Sequence, residues 1–211
     1  IDGGGGEVAL ILAHGSGQPM RSSFMTDVAR LIATGDDPVI EVIRFNFPYM
    51  ARAASEGRNR PPDRQPVLEA SWLETIDRVR GRPAAEGGLF IGGKSLGGRI
   101  ASMIADAANV DGVICLGYPF HPPGKPERLR TAHLAGIGTP VLICQGERDP
   151  FGNRAEVADY ALSDRIAIEW MTDGDHGFKP RKYSGCTQEE NLAHAADAAR
   201  TFIRRAIARR S

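Results

Sequence analysis

Short apolar runs rich in β-branched residues alternate along the chain with longer segments whose apolar positions recur every three to four residues. The short runs are typical of strands buried on both faces of a sheet, and the longer segments are typical of amphipathic helices. Strands are predicted over residues 7–13, 39–45, 88–92, 112–116, 140–145 and 165–171. Helices are predicted over residues 23–33, 67–80, 96–108, 154–162 and 189–209. This alternation predicts an α/β fold in which about six mostly parallel strands carry helices on both faces.

Two predicted connections are longer than the rest, over residues 46–66 and 118–127. Each follows the carboxyl end of a predicted strand, which is the edge where open α/β sheets bind ligands. Neither connection is long enough to form a separate domain, so we expect one domain over residues 7–211. The Gly-rich residues 1–6 are expected to form a flexible segment outside that domain.

Charge and composition narrow the classes of function. Lys plus Arg and Asp plus Glu number 26 each among 211 residues, so no net field favours nucleic acid or an anionic membrane. The apolar runs are strand-sized, well below the roughly 20 residues of a membrane span, and the first residues lack the pattern of a signal peptide. Three cysteines without CxxC spacing disfavour a disulfide framework and a zinc site. We expect a cytoplasmic monomer or homodimer with no nucleic-acid or membrane partner, no metal and no cofactor.

The segment with the most specific chemistry surrounds Ser95. An apolar run leads into Gly93-Lys94-Ser95-Leu96-Gly97 and a helical pattern follows at once, which is the strand–turn–helix context of a G-x-S-x-G nucleophile turn. Glycines two positions either side of the serine relieve crowding in so sharp a turn. Residues 88–95 also match the phosphate-loop pattern G-x-x-x-x-G-K-S. That alternative requires a loop where residues 89–91 indicate a strand, so the nucleophile turn is favoured.

A serine nucleophile needs a base to take its proton and an acid to orient the base. Among five histidines, His176 is the expected base, because it follows the last predicted strand and precedes the last predicted helix. Asp149, in the loop after the strand at 140–145, is the expected acid. Alternative acids, otherwise expected to form turns or to be solvated, are Glu147, Asp173 and Asp175. His133 and His194 fall on helical patterns and are expected to be solvent-facing or partly packed.

Negative charge that develops on a carbonyl oxygen during attack by Ser95 needs backbone N–H donors. One donor is expected from Leu96, directly after the serine. The second is expected from the loop after the first strand, at Ser16 or Gly17, where glycines let the backbone approach closely. His14 is expected to brace this loop rather than to take part in the chemistry.

With these segments in this order, the chain resembles the α/β-hydrolase superfamily across nearly its whole length. The motifs are AHGSG, GGKSLGGR, QGERDPFG and GDHGF. The segments FNFPYM and GYPFHPPG, with Lys94 inside the turn, resemble more narrowly the small cap-less group that includes the testis-expressed hydrolase-like proteins and the third subunit of the NSL chromatin complex. Dienelactone-hydrolase-like enzymes are similar in size and order but have cysteine in place of the serine. The resemblance implies an α/β-hydrolase fold without a large cap domain, and ester or thioester chemistry.

These observations predict a serine hydrolase that cleaves a small-molecule ester or thioester through an acyl-enzyme on Ser95. The alternative is a binding or scaffold protein that keeps the fold without turnover. The pocket wall is predicted to come from Phe47, Tyr49, Met50, Tyr118, Phe120 and His121. A positive rim could come from Lys94, Lys125, Arg148 and Lys179, although solvated surface charges explain these residues more simply.

Overall fold

All six predicted strands are present in the computed structural model, which describes residues 2, 5–35 and 37–209. The strands are β1 (Val8–Ala13), β2 (Ile40–Phe45), β3 (Leu89–Lys94), β4 (Gly112–Leu116), β5 (Val141–Gly146) and β6 (Ile166–Met171). They form one sheet in the order β2-β1-β3-β4-β5-β6, and each neighbouring pair is parallel.

The strand order determines where a site can form. β1 pairs with β2 on one side and with β3 on the other, so the direction in which strands are added reverses between β2 and β3. In open α/β sheets, ligands bind outside the carboxyl ends of the strands at such a switch point. The loop that begins at His14 and the turn at Ser95 leave from the two strands that flank it.

Helices cover both faces of the sheet. They are α1 (Ser23–Ala33), α2 (Pro48–Glu56), α3 (Gln65–Arg80), α4 (Pro83–Gly87), α5 (Leu96–Ala108), α6 (Arg154–Val157) and α7 (Gln188–Ala208). On β1, Leu10 and Leu12 share a core with α1 and α7, whereas Ala9 and Ile11 share the other core with α3 and α5. Alternate side chains of a buried strand thus serve opposite faces. Within the described residues, no helix combines the length and apolarity that a membrane span requires.

The long connection predicted at 46–66 contains α2, which the sequence analysis missed. Pro48 lies in the first turn of this helix, where its missing N–H costs nothing. Gly57 follows the helix in the left-handed conformation, with φ 65°, and its N–H donates to the carbonyl of Ala53. This pairing of proline at the start and glycine after the end is a helix signal in the sequence.

Two other predicted helical segments are shorter or absent. α6 ends at Val157 rather than at residue 162, and the chain around His133 forms turns. Ending α6 early lets Tyr160 and Leu162 pack against the core of α3 and α5. Burial of these two apolar side chains accounts for the end of the helix.

Within residues 1–6, which are predicted to form a flexible segment, Asp2 is hydrogen-bonded to the edge of the sheet. The backbone N–H and carbonyl of Asp2 exchange hydrogen bonds of 2.9 Å with Val42, and its carboxylate accepts a bond of 2.8 Å from Arg44. Asp2 therefore forms an antiparallel bridge at the edge of β2. Ile1, Gly3 and Gly4 lie outside the described residues, so the prediction stands untested there.

Candidate active site

The turn at Ser95 joins β3 directly to α5. Ser95 has φ 50° and ψ −111°, a conformation that few non-glycine residues adopt, and its N–H donates to the carbonyl of Leu116 at 3.0 Å. Such backbone strain costs about 1–3 kcal/mol and persists where the surrounding structure enforces it, as at nucleophile turns. Leu89–Lys94 forms a strand. The residues that would wrap a phosphate under the phosphate-loop hypothesis are therefore paired in the sheet.

Two glycines make this turn sterically possible. A Cβ atom on Gly93, which has φ 148°, would lie 2.0 Å from the carbonyl oxygen of Ala13. A Cβ atom on Gly97 would lie 2.4 Å from the same oxygen. This turn at residues 93–97, called the elbow from here on, therefore packs against the end of β1 at a distance that only glycine allows.

His176 and Asp149 are in direct contact. The Nδ1–H of the imidazole donates to Oδ2 of Asp149 at 2.7 Å. The Asp149 side chain is fully buried and accepts two further hydrogen bonds, from Nε2 of Gln145 at 3.0 Å and from the N–H of Phe151 at 2.8 Å. Gln145 also receives a bond of 2.7 Å from the N–H of Tyr118, so it anchors the acid to the chain after β4. The sequence analysis missed Gln145, whose signal is a polar residue inside an apolar strand.

The surroundings of His176 favour a neutral imidazole. The Phe151 ring lies 4.3 Å from the imidazole, centroid to centroid. Burial lowers the pKa of His176 below its ordinary value of 6.5, the hydrogen bond to Asp149 opposes this, and the charge of Lys94 lowers the pKa further. A neutral ring with its proton on Nδ1 leaves Nε2 available as a proton acceptor.

Lys94 connects the elbow to the loop after β6 that carries His176, called the base loop from here on. Its Nζ donates to the backbone carbonyl of His176 and lies 5.2 and 5.7 Å from the ring centroids of Phe24 and Phe178. Burial lowers the pKa of Lys94 to about 8, which the charges of Asp149 and Asp175 oppose. Lys94 therefore holds the backbone of the base loop against the nucleophile turn.

The three alternative acids are engaged elsewhere. Glu147 accepts from the N–H of Asp173 and pairs with Arg154 at 2.8 Å. Asp173 pairs with Arg148 and Arg181, and the bonds from Arg181 lower its pKa to about 2. Asp175 accepts from the N–H groups of Gly177 and Lys179 and so forms the turn beside the base. These carboxylates shape the loops around the imidazole, whereas Asp149 contacts it.

The loop after β1 is oriented from within the core. His14 Nδ1–H donates to the carbonyl of Gly15 at 2.6 Å, and its Nε2 accepts from the N–H of Phe47 at 3.1 Å. The Tyr49 hydroxyl donates to the carbonyl of Ser16 at 3.0 Å. Because C=O and N–H point in opposite directions across a trans peptide, these bonds turn the N–H groups of Ser16 and Gly17 away from the core. Burial lowers the pKa of His14, so this brace is uncharged.

A cavity of about 590 Å³ opens at this edge of the sheet. Its wall brings together the predicted nucleophile Ser95, the predicted base His176 and the predicted N–H donors at Ser16, Gly17 and Leu96. Phe24, Met25, Pro62 and Phe151 supply apolar surface. Among the described residues that line it, His176 is the one histidine and there is no cysteine or carboxylate, which is not a donor set for a metal.

The predicted pocket wall requires correction, because none of its six residues lines this cavity. Phe47, Tyr49, Tyr118 and Phe120 are fully buried in the core, and Met50 packs against the same core. His121 is buried and bonds to the carbonyl of Pro122 and, at 3.4 Å, to Glu156. These side chains pack under their loops because burial of large aromatic surfaces outweighs exposure in an open cleft. Of the four residues considered for a positive rim, Lys94 lines the cavity, whereas Lys125, Arg148 and Lys179 do not.

Ser102 on α5 and His133 in the turns after β4 form a second serine–histidine pair, which must be distinguished from Ser95 and His176. Ser102 Oγ donates to the carbonyl of Arg99 at 2.8 Å and lies 2.9 Å from Nε2 of His133. Ser102 is buried and does not line the cavity. Because its proton is already donated to a carbonyl, this hydroxyl accepts from His133 and is not activated as a nucleophile.

Comparison with known proteins agrees with this geometry. A family model described as an alpha/beta hydrolase domain matches residues 6–204. The chain belongs to the alpha/beta hydrolase family. Its strand order, its elbow and the absence of a large cap among the described residues are those of a lidless member.

Solved structures of this alpha/beta hydrolase fold align with most of the chain at low sequence identity. A dienelactone hydrolase from Anabaena variabilis is 19% identical, with a TM-score of 0.68 over 95% of this chain and 87% of its own. A serine hydrolase without a lid from Xanthomonas campestris is 19% identical, with a TM-score of 0.63 over 99% of this chain and 84% of its own. Est1E from Butyrivibrio proteoclasticus, solved with ferulic acid bound, is 16% identical, with a TM-score of 0.64 over 95% of this chain and 90% of its own. These likenesses establish the fold.

Proposed function

We propose that this alpha/beta hydrolase cleaves carboxylic esters or thioesters of small molecules through an acyl-enzyme on Ser95. The observation that carries the proposal is the pairing of His176 with the buried Asp149 at 2.7 Å, where His176 and Ser95 line the same cavity. A Ser–His–Asp set of this kind activates a hydroxyl for attack on an acyl carbon.

The chemistry proceeds in two halves. His176 Nε2 takes the proton of Ser95 as Oγ attacks the ester carbonyl, and the same proton then passes to the leaving alcohol or thiol as the acyl-enzyme forms. Water enters, gives a proton to His176 and attacks the acyl carbon, and the carboxylic acid leaves as Ser95 recovers its proton. Asp149 stabilises the imidazolium that forms in each half.

We expect the hydrogen bond between Ser95 and His176 to form in the reacting complex. Within the described part of the chain, the Ser95 hydroxyl has no hydrogen-bond partner, so its rotation toward the imidazole breaks no existing bond. In hydrolases without substrate this contact is commonly long, and it tightens when the ester binds. We assign the developing oxyanion to the N–H of Leu96 and to the N–H of Ser16 or Gly17, each such donor being worth about 100- to 1000-fold in turnover.

Labelling with a fluorophosphonate probe tests this assignment. The wild-type protein should be labelled, and Ser95→Ala and His176→Ala should not be, because the probe reacts with a serine that a base has activated. Ser102→Ala is the matched control, since it removes the hydroxyl of the second serine–histidine pair and should label as wild type does. A folded wild-type protein that remains unlabelled would contradict the proposal and would favour a non-catalytic binding protein.

A further inference from the structure

The wall of the Ser95 cavity carries three cationic side chains, and the described residues that line it include no carboxylate to balance them. The cations are Lys94, Arg99 and Arg130. Lys94 is accounted for, because it bonds to the carbonyl of His176 and lies against two phenyl rings. No comparable partner accounts for the positive charges of Arg99 and Arg130 among the described residues.

Neither arginine side chain has a hydrogen-bond or ion-pair partner within the described residues. Nε of Arg99 is shielded from solvent and unpaired. Two other poorly exposed guanidinium groups have partners. Arg44 bonds to a carboxylate and to a backbone carbonyl, and Arg200 bonds to two backbone carbonyls. The unpaired buried donor of Arg99, in the cavity wall, therefore has a cost in stability.

The two arginines converge from different elements. Arg99 lies in the first turn of α5, where its N–H donates to the carbonyl of Ser95 at 2.9 Å. Arg130 lies after β4, where its N–H donates to the carbonyl of Phe120 at 2.7 Å and its own carbonyl accepts from Tyr118 at 3.0 Å. They are near enough that the charge of Arg99 adds to burial in lowering the pKa of Arg130. An anion between them relieves this repulsion.

We infer that Arg99 and Arg130 form a subsite for a carboxylate on the substrate, so that the hydrolase acts on short acidic esters. This inference rests on the ester hydrolysis proposed above and adds its substrate class. Guanidinium groups bind carboxylates through parallel N–H donors and remain charged at working pH. Arg99 follows Ser95 by four residues, about 6 Å along the helix axis, and both residues line the same cavity, so a short acyl or alcohol chain can span from the ester carbonyl to the guanidinium group. An aryl monoester of glutaric acid has this form.

Matched esters test the subsite. The 4-nitrophenyl monoester of glutaric acid and 4-nitrophenyl valerate have acyl chains of equal length and differ in the carboxylate. Wild type should prefer the acidic ester in kcat/KM. Arg99→Met and Arg130→Met should each lower kcat/KM for the acidic ester about ten-fold or more, and change it less than about two-fold for the neutral ester. Arg99→Lys keeps the charge and should recover part of the preference.

Arg128→Met is the control for charge alone, because Arg128 is exposed, does not line the cavity and lies two positions from Arg130. It should leave the preference unchanged. A second ester pair, the acetates of 4-hydroxybenzoate and 4-hydroxybenzamide, places the carboxylate on the leaving group. An arginine-dependent preference in either pair supports the subsite. The pair that shows it tells whether the subsite binds a carboxylate on the acyl group or on the leaving group. Equal kcat/KM for acidic and neutral esters in both pairs overturns it.

Calorimetry on the Ser95→Ala protein separates this inference from the catalytic proposal. Glutarate should bind to this variant, and adding Arg99→Met and Arg130→Met should abolish binding. If glutarate binds in this arginine-dependent way but no ester is cleaved, the subsite stands and the hydrolase proposal fails. If neutral esters are cleaved but glutarate does not bind, the hydrolase proposal stands and the subsite is wrong.

Discussion

The surroundings of His176 act on its pKa in opposite directions. Burial and the charge of Lys94 lower its pKa, whereas the bond to Asp149 raises it, and the net direction is downward from 6.5. A base works in its unprotonated form, so a lowered pKa keeps the ring active to more acidic pH. The surroundings thus prepare the ring for proton transfer at neutral pH.

The first prediction concerns the pH dependence of ester hydrolysis. We expect kcat/KM to fall on the acid side with an apparent pKa below 6.5, because protonation of His176 removes the acceptor for the Ser95 proton. Replacing Lys94 with Met removes a charge that lowers this pKa, so the acid limb should move upward toward 6.5. Lys94→Arg keeps the charge and should leave the limb near the wild-type position.

The measurement is the pH profile of kcat/KM for a neutral aryl ester in the three proteins. An acid limb above 6.5 in wild type would contradict the assigned environment of the imidazole. An unchanged limb in Lys94→Met would show that the lysine does not act on the base through its charge.

Residues whose chemistry requires a given side chain at a given spacing can be identified from the sequence. Ser95 has its glycine pattern, and His176 and Asp149 follow strand ends in a known chain order. The pocket wall is different, because the direction of a loop side chain depends on packing that no local pattern encodes. Tyr49 was expected in the wall and instead braces the loop after β1 from the core. Arg99 could have been noticed as a cation in the first turn after the nucleophile.

At the scale of elements, the site depends on how closely the β3–α5 turn approaches β1. Gly97 lies so near Ala13 that a Cβ atom there would meet a backbone oxygen at 2.4 Å. Backbone atoms on a central strand cannot move aside as a flexible side chain can. The end of β1 and the start of α5 therefore form one rigid support for Ser95, the proposed nucleophile, and for the proposed oxyanion donors.

Gly97→Ala should destabilise the fold by about 1–3 kcal/mol, the usual cost of overpacking a closely fitted site, and should lower turnover as the elbow shifts. Gly81→Ala is the matched control, since Gly81 ends α3 at φ −79° with no atom within 4 Å of an added Cβ. Urea unfolding of both variants measures the difference. Equal free energies of unfolding for Gly97→Ala and wild type would contradict the tight packing described for the elbow.

The positions of helices and strands were predictable where apolar periodicity is long and regular, as in α5 and α7. Prediction failed where tertiary contacts decide the boundary, as at Tyr160, which packs on the core beyond the early end of α6. It also missed α2, whose signals are a proline and a glycine rather than a periodic apolar face. Local patterns thus indicate the elements, whereas packing determines where the irregular ones end.

At the scale of the whole molecule, the site follows from the sheet order. Adding β2 to one side of β1 and β3 to the other places the loop after β1 beside the turn after β3. The loops after β5 and β6 carry Asp149 and His176 to the same edge. Four distant segments of the chain therefore surround one cavity, whose wall combines apolar residues with two arginines that have no partner among the described residues.

The most direct test is to look for the acyl-enzyme during turnover of an activated aryl ester. Rapid mixing should release one equivalent of nitrophenol per protein in a burst, and acid-quenched protein should carry the acyl mass on the peptide that contains Ser95. Ser95→Ala should show neither the burst nor the adduct. Turnover by a folded wild-type protein with the acyl group on another residue would contradict the central claim.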